Sequence, residues 1–305
     1  MSEARFIDTD DGVSLAVRVG GRGLPLVLCH GGPGIWDYFD DLRDDLEDLA
    51  TVISWDQRGC GESRAEGPHT AARYVADLDC IRRALDVETW VVGGHSWGAS
   101  LALFYALAHP EATRALLYIS GTGLGESWNP VYHQEQDRRR RSYQARLDQL
   151  SAIQRSEDEE AEWRRLSWRS DLADPERTDL LESMDRPYRV NLEANAALNA
   201  ERKTWSEEDL AQRCLGLELP VLVVHGREDP RPAWAVDSLV AALPDVDSVI
   251  LEGVGAPSVA GGPGCLWPSR AHVPPGTGPG LSSMPRTPGW GALELGHGDH
   301  GAGGP

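Results

Sequence analysis

The sequence is poor in basic residues and in long apolar runs, and each shortage excludes a class of protein. It has 29 Lys and Arg against 48 Asp and Glu, a formal net charge of −19. It therefore lacks the basic face that nucleic acids and anionic membranes require. No run of about 18 apolar residues is present, so we predict no bilayer span. The acidic N-terminus has no apolar segment of the kind found in signal peptides, so we expect a cytoplasmic protein.

Cysteine is also scarce, and its placement argues against a structural framework. The five cysteines are odd in number, far apart and without paired spacing. Reduced thiols are therefore expected, with no disulfide frame and no metal site. The hydrophobic content of 41% is enough for a substantial core, which excludes global disorder. A chain of 305 residues fits two domains, or one large domain with an insertion.

Short β-branched runs alternate with helical patterns along most of the chain. Arg5–Thr9 and Val13–Val19 resemble an antiparallel pair, and Leu24–His30 and Val221–His225 resemble buried strands. Trp36–Leu49 has the apolar spacing of a helix. This alternation predicts an α/β fold with a mostly parallel sheet flanked by helices.

Composition divides the chain into four parts. Residues 1–124 and 213–255 carry the strand–helix alternation and are predicted to form one core. Residues 125–212 are highly charged and contain tryptophans at helical spacings, which predicts a helical cap inserted over the sheet. Residues 256–305 hold 13 Gly and 9 Pro, and this composition predicts a disordered tail.

The clearest chemical motif is G-x-S-x-G, at Gly94, Ser96 and Gly98, between a predicted strand and a predicted helix. In this context the motif is typical of a nucleophile elbow, a tight turn that exposes the serine hydroxyl at a helix N-terminus. Helix N-termini favour negative charge. Ser96 is therefore the candidate nucleophile, and the side chain of His95 is expected to point away from the site.

A Gly-rich loop, His30-Gly31-Gly32-Pro33-Gly34, directly follows a predicted buried strand. In serine hydrolases such a loop supplies one N–H of the oxyanion hole, and the residue after the nucleophile supplies the other. Gly32 is the preferred donor from this loop, with Gly31 as second choice, and Trp97 is the donor after Ser96.

Charged residues follow two other predicted strands. Asp229 and Glu228 lie at the carboxyl end of the Val221–His225 strand, where active sites of open α/β sheets form. Asp229 is the better candidate for the carboxylate that orients a catalytic histidine, with Glu228 as alternative. Residues 56–63, D-Q-R-G-C-G-E-S, are interpreted as a structural brace.

Taken in order, H-G-G-P-G, D-Q-R-G-C-G-x-S, G-G-x-S-W-G and H-G-R-x-D resemble the proline iminopeptidase group of α/β-hydrolases over residues 5–255. The resemblance implies Ser96 as nucleophile, Asp229 as acid, and Gly32 and Trp97 as oxyanion donors. It further implies that Glu193 helps to bind the free amino group of the substrate. Arg169 stands where the family has a second such glutamate, and a cation there would repel an ammonium group.

The resemblance implies hydrolysis of a small peptide, amide or ester substrate through an acyl-enzyme, without metal or cofactor. A general carboxylesterase-type hydrolase and a non-catalytic binding relative are the alternatives. The oligomeric state is left open by the sequence.

The histidine of the expected triad is missing. Ala256 stands where it should follow the last strand, and the composition changes at the same residue. Removing one base from permitted codons of residues 256–263 yields His-Leu-Pro-Trp-Leu-Glu-Asp-Pro, the pattern that the family would have. We therefore hypothesise a frameshift and a chain impaired by loss of its base. The tail histidines that could instead complete a triad are His272, His297 and His300.

Overall fold

The computed structural model describes residues 3–63, 67–179, 181 and 185–256. The strands in these ranges are β1 (Arg5–Asp8), β2 (Ser14–Gly21), β3 (Leu24–Cys29), β4 (Ala50–Trp55), β5 (Trp90–His95), β6 (Thr113–Ile119), β7 (Val221–Gly226) and β8 (Val246–Leu251). The helices are α1 (Asp40–Leu46), α2 (Ala71–Ala84), α3 (Trp97–Ala108), α4 (Asn129–Arg140), α5 (Gln144–Ser151), α6 (Glu157–Arg169), α7 (Leu192–Arg202), α8 (Glu207–Cys214) and α9 (Asp237–Ala242).

The strands form one sheet in the order β1-β2-β4-β3-β5-β6-β7-β8. β2 is antiparallel to β1 and β4, and every other pairing is parallel. The predicted α/β fold with a mostly parallel sheet is confirmed. Parallel pairing requires long crossovers, and the helical segments between strands supply them.

The strand order places a cleft at the carboxyl ends of β3 and β5. From β3 the chain crosses to β4 on one side, whereas from β5 it crosses to β6 on the other. Such a reversal opens a crevice between adjacent strand ends, where open α/β sheets bind their ligands. The loop 30–34 leaves β3 at this point, and Ser96 directly follows β5. The topology alone therefore brings these two motifs together.

Apolar side chains cover both faces of the sheet. The larger core packs α2, α3 and α9 against one face, with Leu101, Leu116 and Val223 fully buried. A smaller core on the other face joins α1 to β3 and β4 around Trp36 and Leu28. A parallel sheet needs such cover on both sides because each strand carries apolar residues on both faces.

The helices α4 to α8 lie between β6 and β7, so the charged stretch of the sequence is an insertion into the core fold. The limits of this insertion, residues 125–212, stay a prediction from composition. The capping box at Ser156 and Glu159 starts α6 and explains part of the acidic run. In the described part of the chain, no helix has the length and apolarity needed to cross a membrane.

One local expectation is corrected, and another falls outside the described residues. The helix predicted over Trp36–Leu49 is limited to α1, Asp40–Leu46. The preceding residues form an irregular buried segment in which Phe39 N–H donates to the carboxylate of Asp37; this tertiary packing overrides helical spacing. The predicted tail, including its three histidines, lies outside the described residues except for Ala256.

Candidate active site

Ser96 occupies a strained turn between β5 and α3. Its backbone has φ 55° and ψ −118°, a conformation that costs a non-glycine residue about 1–3 kcal/mol. Two glycines make the turn possible. A Cβ on Gly94 would lie 1.9 Å from the Gly98 carbonyl oxygen, and one on Gly98 would lie 1.9 Å from the Cys29 carbonyl oxygen. The sequence places glycine at both close approaches and serine at the apex, which is the geometry of an exposed nucleophile.

Backbone N–H groups suited to an oxyanion lie beside this serine. Trp97 is the first residue of α3, so its N–H has no acceptor within the helix. Gly32 lines the same cavity as Ser96 and has φ 129°, which glycine adopts readily. The N–H of Gly31 instead donates to the Tyr38 hydroxyl at 2.7 Å. The structure therefore favours Gly32 over Gly31 as the loop donor, as the sequence did.

The oxyanion loop is held from two sides. On one side, Gln57 N–H donates to His30 Nε2 at 3.0 Å, and the Gln57 side chain donates to the His30 carbonyl at 2.7 Å. On the other side, Asn191 N–H donates to the Gly34 carbonyl and Asn195 donates to the Pro33 carbonyl, each at 2.7 Å. These bonds fix the loop next to Ser96. The two bonds from Gln57 are consistent with the interpretation of residues 56–63 as a structural brace.

Acid is expected to destabilise the chain through His30. Burial lowers the pKa of His30 from 6.5 to about 4, so the folded chain binds fewer protons at this ring than the unfolded chain. Its contribution to stability is complete above pH 6.5 and is lost as the pH falls towards 4. The free energy of unfolding, measured in urea, should fall by about 2 kcal/mol from about pH 7.5 to about pH 5 because of this group. His30→Gln should lack that loss, and an equal loss in both proteins would contradict the assignment.

Asp229 lies near Ser96, but an arginine stands between them. Arg231 Nε donates to Asp229 Oδ1 at 2.8 Å and Nη2 donates to Oδ2 at 3.2 Å. The third guanidinium nitrogen, Nη1, donates to Ser96 Oγ at 3.3 Å. Arg231 is buried against the face of Tyr132, and its carboxylate neighbours raise its pKa against the effect of burial. A guanidinium cannot accept the serine proton, so it cannot act as general base.

Sequence reasoning missed Arg231. The only sequence signal was a cation two residues after the candidate acid, in Asp229-Pro230-Arg231. Its role depends on the turn in which Arg231 N–H also donates to Asp229 Oδ1 at 2.8 Å. That turn aims the side chain back over the carboxylate. Neither Asp229 nor the alternative acid Glu228 is among the described residues of the cavity wall; the bridge through Arg231 links Asp229 to Ser96.

The cavity above Ser96 has a volume of about 240 Å³ and lies beneath the insertion. Its wall is largely apolar and aromatic, including Ile35, Tyr132, Trp163 and Trp168. Its polar residues include Ser96, Arg231, His95, Asp171 and Asn195. A larger hollow of about 560 Å³ between α2, α3 and α8 has no serine on a strained strand-to-helix turn among its described lining residues. Size and chemistry therefore favour different hollows, and chemistry identifies the smaller as the site.

Asp171 brings a carboxyl group to this cavity. Its Oδ1 is inaccessible to solvent and has no hydrogen bond among the described residues. Burial raises its pKa, while the charges of Arg231, Arg140 and Arg139 act against that rise. Asp171 is the one carboxyl group among the described residues of the cavity wall. Arg231, the cation of the same wall, already pairs with Asp229, which leaves Asp171 for a ligand.

The two residues expected to decide amino-group binding lie elsewhere. Glu193 is exposed on α7 and is absent from the cavity wall, so the structure does not bring it to Ser96. Asn191 caps the helix and directs position 193 outward, whereas Asn195 faces the cavity. Arg169 donates to the Pro175 carbonyl and pairs with Glu176. Arg169 is also absent from the described residues of the cavity wall, and its expected repulsion of an ammonium group stays a prediction.

Ala256 is the last described residue and lies in the cavity wall. It is 8% exposed, and its N–H donates to the Asp171 carbonyl at 2.9 Å.

Two histidines flank the site, but neither is hydrogen-bonded to Ser96 Oγ in the described part of the chain. His225 Nε2 lies 3.0 Å from the Arg231 carbonyl oxygen, and His95 directly precedes Ser96. His95, whose side chain was expected to point away, is among the residues that line the cavity. In the described ranges, no cluster of side chains could hold a metal ion.

A mostly parallel sheet, a serine on a strained strand-to-helix turn and a facing Gly-rich loop define the α/β-hydrolase class. The chain belongs to the alpha/beta hydrolase fold family, which matches residues 25–255. Within that family it is similar to proline iminopeptidases.

The proline iminopeptidase of Xylella fastidiosa (strain 9a5c) is 30% identical over 220 residues, covering 70% of this chain and 62% of the relative. That of Neisseria meningitidis serogroup A is 37% identical over 98 residues, covering 31% and 32%. The chain thus spans about one to two thirds of the length of these curated relatives.

Solved structures support the same fold. The proline iminopeptidase of Mycobacterium smegmatis has a TM-score of 0.57 at 21% identity and covers 82% of this chain and 90% of its own. E-2-(acetamidomethylene)succinate hydrolase has a TM-score of 0.64 at 23% identity with the same coverage. At these identities the likeness concerns the fold alone.

Proposed function

We propose that this chain is a serine hydrolase of aminoacyl amides or related esters, with Ser96 as nucleophile. The observation that carries the proposal is the placement of Ser96 at the crevice between β3 and β5, beside the backbone N–H groups of Gly32 and Trp97. Ser96 Oγ would bond to the substrate carbonyl carbon, and the two N–H groups would stabilise the developing oxyanion. The leaving amine or alcohol would depart with a proton, and water would then release the acid.

Asp171 supports an amino-bearing substrate. It lines the cavity that holds Ser96, and its Oδ1 has no hydrogen-bond partner in the described part of the chain. A buried carboxylate is stabilised when a cation pairs with it, so a substrate ammonium would both satisfy this oxygen and lower the pKa of the group. We assign amino-group binding to Asp171 and not to Glu193. The names of the similar proline iminopeptidases are consistent with a peptide substrate.

We expect hydrolysis to be slow, because none of the described residues is placed as a general base for Ser96. Arg231 fills the space between Ser96 and Asp229, and its Nη1–H occupies a lone pair of the nucleophile. In subtilisin, a serine hydrolase of another fold, loss of the histidine costs about 10⁶ in kcat, while the oxyanion hole and binding retain about 10³–10⁴ over water. We therefore expect the two candidate oxyanion donors, Gly32 and Trp97, to act together with a slow first step.

The test is a panel of prolyl arylamide, its N-acetyl derivative and an aryl acetate, hydrolysed by the purified chain. Ser96→Ala should reduce turnover of all cleaved members to the buffer rate, whereas Ser100→Ala on the same helix should not. Asp171→Asn should reduce the preference for the free-amine arylamide over its N-acetyl form by about tenfold. Asp174→Asn, an exposed carboxylate three residues away, is the matched control. Turnover that survives Ser96→Ala would contradict the proposal.

A binding protein without turnover is the second candidate, and Arg231 is the observation that favours it. The guanidinium bridges the acid and the nucleophile in place of an imidazole. In that case the free-amine compounds should bind with a dependence on Asp171 while none is cleaved, and a fluorophosphonate should leave Ser96 unlabelled.

A further inference from the structure

His95 is the last residue of β5, next to the candidate nucleophile, and it is 8% exposed. It is among the residues that line the cavity, together with Ser96 and Arg231. Its two ring nitrogens have different surroundings. Nδ1 lies 2.5 Å from the Tyr38 hydroxyl oxygen, whereas Nε2 is buried without a hydrogen-bond partner among the described residues.

The hydrogen bonds around Tyr38 determine which nitrogen carries the proton. Gly31 N–H donates to the Tyr38 oxygen at 2.7 Å, so that oxygen is already an acceptor. Within the described ranges, the remaining acceptor for its hydroxyl proton is His95 Nδ1. Tyr38 therefore donates to Nδ1, and a neutral imidazole that accepts at Nδ1 carries its proton at Nε2. The free nitrogen of His95 is thus an N–H donor.

The ring also stays neutral. Burial lowers the pKa of His95 to about 3, and the neighbouring Arg231 and His225 act in the same direction. Asp171 is the other ionisable acid in this cavity wall, and Tyr38 and Tyr132 are buried with pKa values raised by burial. A buried donor without a partner is costly, by about 1–3 kcal/mol, and a ligand acceptor in the cavity would remove that cost.

We propose that His95 is a substrate-binding residue, which donates its Nε2–H to an oxygen of the ligand, while Tyr38 fixes its tautomer. The acceptor is a carbonyl or carboxylate oxygen, because the ring supplies a neutral donor and not a charge. This inference rests on the proposed function in one respect: an aminoacyl amide carries both the ammonium group assigned to Asp171 and a carbonyl oxygen for His95.

The first test is the tautomer, observed by NMR in the full chain labelled with ¹⁵N-histidine and assigned by comparison with His95→Gln. The expected result is a protonated Nε2 and an unprotonated Nδ1 that does not titrate down to about pH 5. Protonation at Nδ1 would overturn the proposal. Tyr38→Phe should allow both tautomers if it folds, which circular dichroism would verify.

The second test is binding of proline amide to Ser96→Ala protein, which removes turnover. His95→Leu should weaken binding about three- to tenfold, as expected for loss of one neutral hydrogen bond. His95→Gln, which keeps a donor near the Nε2 position but lacks the bond from Tyr38, should weaken it less than about twofold. A purely structural role would affect both variants alike.

The outcomes separate this inference from the proposed function. Binding that depends on Asp171 but is equal in His95→Leu and the parent would overturn the role of His95 and leave the function intact. Equal losses in the Leu and Gln variants would also overturn it. Absence of binding to any aminoacyl amide would overturn the proposed function and this inference together.

Discussion

Replacing Ala256 by histidine is expected to raise the hydrolysis rate of this chain by about 10²–10⁴-fold, the usual contribution of a positioned general base. Ala256 lies in the wall of the cavity that contains Ser96 and Arg231, so an imidazole there is within the same enclosure as the nucleophile. Asp229 is close enough to Ser96 for Arg231 to bridge them. A histidine at 256 would supply the missing proton acceptor, and Asp229 would orient it.

Arg231 sets the condition for this gain. It occupies both carboxylate oxygens of Asp229, so a new imidazole must compete with it. The double variant A256H/R231Q should therefore exceed A256H alone, because the Arg231 backbone N–H bond to Asp229 is retained and only the guanidinium is removed. Initial rates on prolyl arylamide and the aryl acetate measure both.

Two controls make the result decisive. Ala256→Asn introduces a polar side chain that cannot act as base and should give no gain. Adding Ser96→Ala to A256H should abolish the gain, since the base acts through that hydroxyl. If folded A256H and A256H/R231Q are both as slow as the parent, then position 256 is not where this site takes its base.

Gly98→Ala is expected to cost about 3 kcal/mol or more of folding stability, in spite of adding a single methyl group. The new Cβ would lie 1.9 Å from the Cys29 carbonyl oxygen and 2.6 Å from that of His30. Both contacts are with backbone, so no side chain can move aside, and α3 would have to lift from β3. Overpacking of this kind typically costs about 1–3 kcal/mol when side chains can adjust, and contacts with rigid backbone lie at the upper end.

Urea unfolding of Gly98→Ala beside Gly216→Ala measures the effect. Gly216 is the matched control, because a Cβ there would meet only the Arg213 carbonyl oxygen at 3.6 Å, an ordinary contact. It should change stability by about 0.5 kcal/mol or less. A Gly98→Ala protein as stable as the control would show that α3 does not approach β3 as closely as described.

Local sequence patterns predicted the sheet and the turn at Ser96 because these depend on neighbours in the chain. Alternation of strand and helix, with glycine at 94 and 98, is sufficient to define the parallel sheet and the elbow. The loop 30–34 was predicted on the same basis, since it follows a buried strand.

The rest depended on tertiary packing. Asp171 and Ala256 meet through a backbone hydrogen bond between segments 85 residues apart, and no local pattern indicates this contact. The position of Glu193 has a similar cause: the helix phase that brings Asn195 to the loop 30–34 turns position 193 to solvent. Arg231 lies next to the motif in sequence, yet its reach to Ser96 follows from a turn that composition does not specify.

The positive φ of Ser96 has a consequence for how this sequence can drift. Glycine would hold the turn without the backbone strain that serine carries there. With regard to backbone strain alone, glycine is therefore the favoured residue at this position. The backbone conformation therefore does not account for a serine at the apex of the turn, whereas the nucleophilic role proposed for Ser96 does.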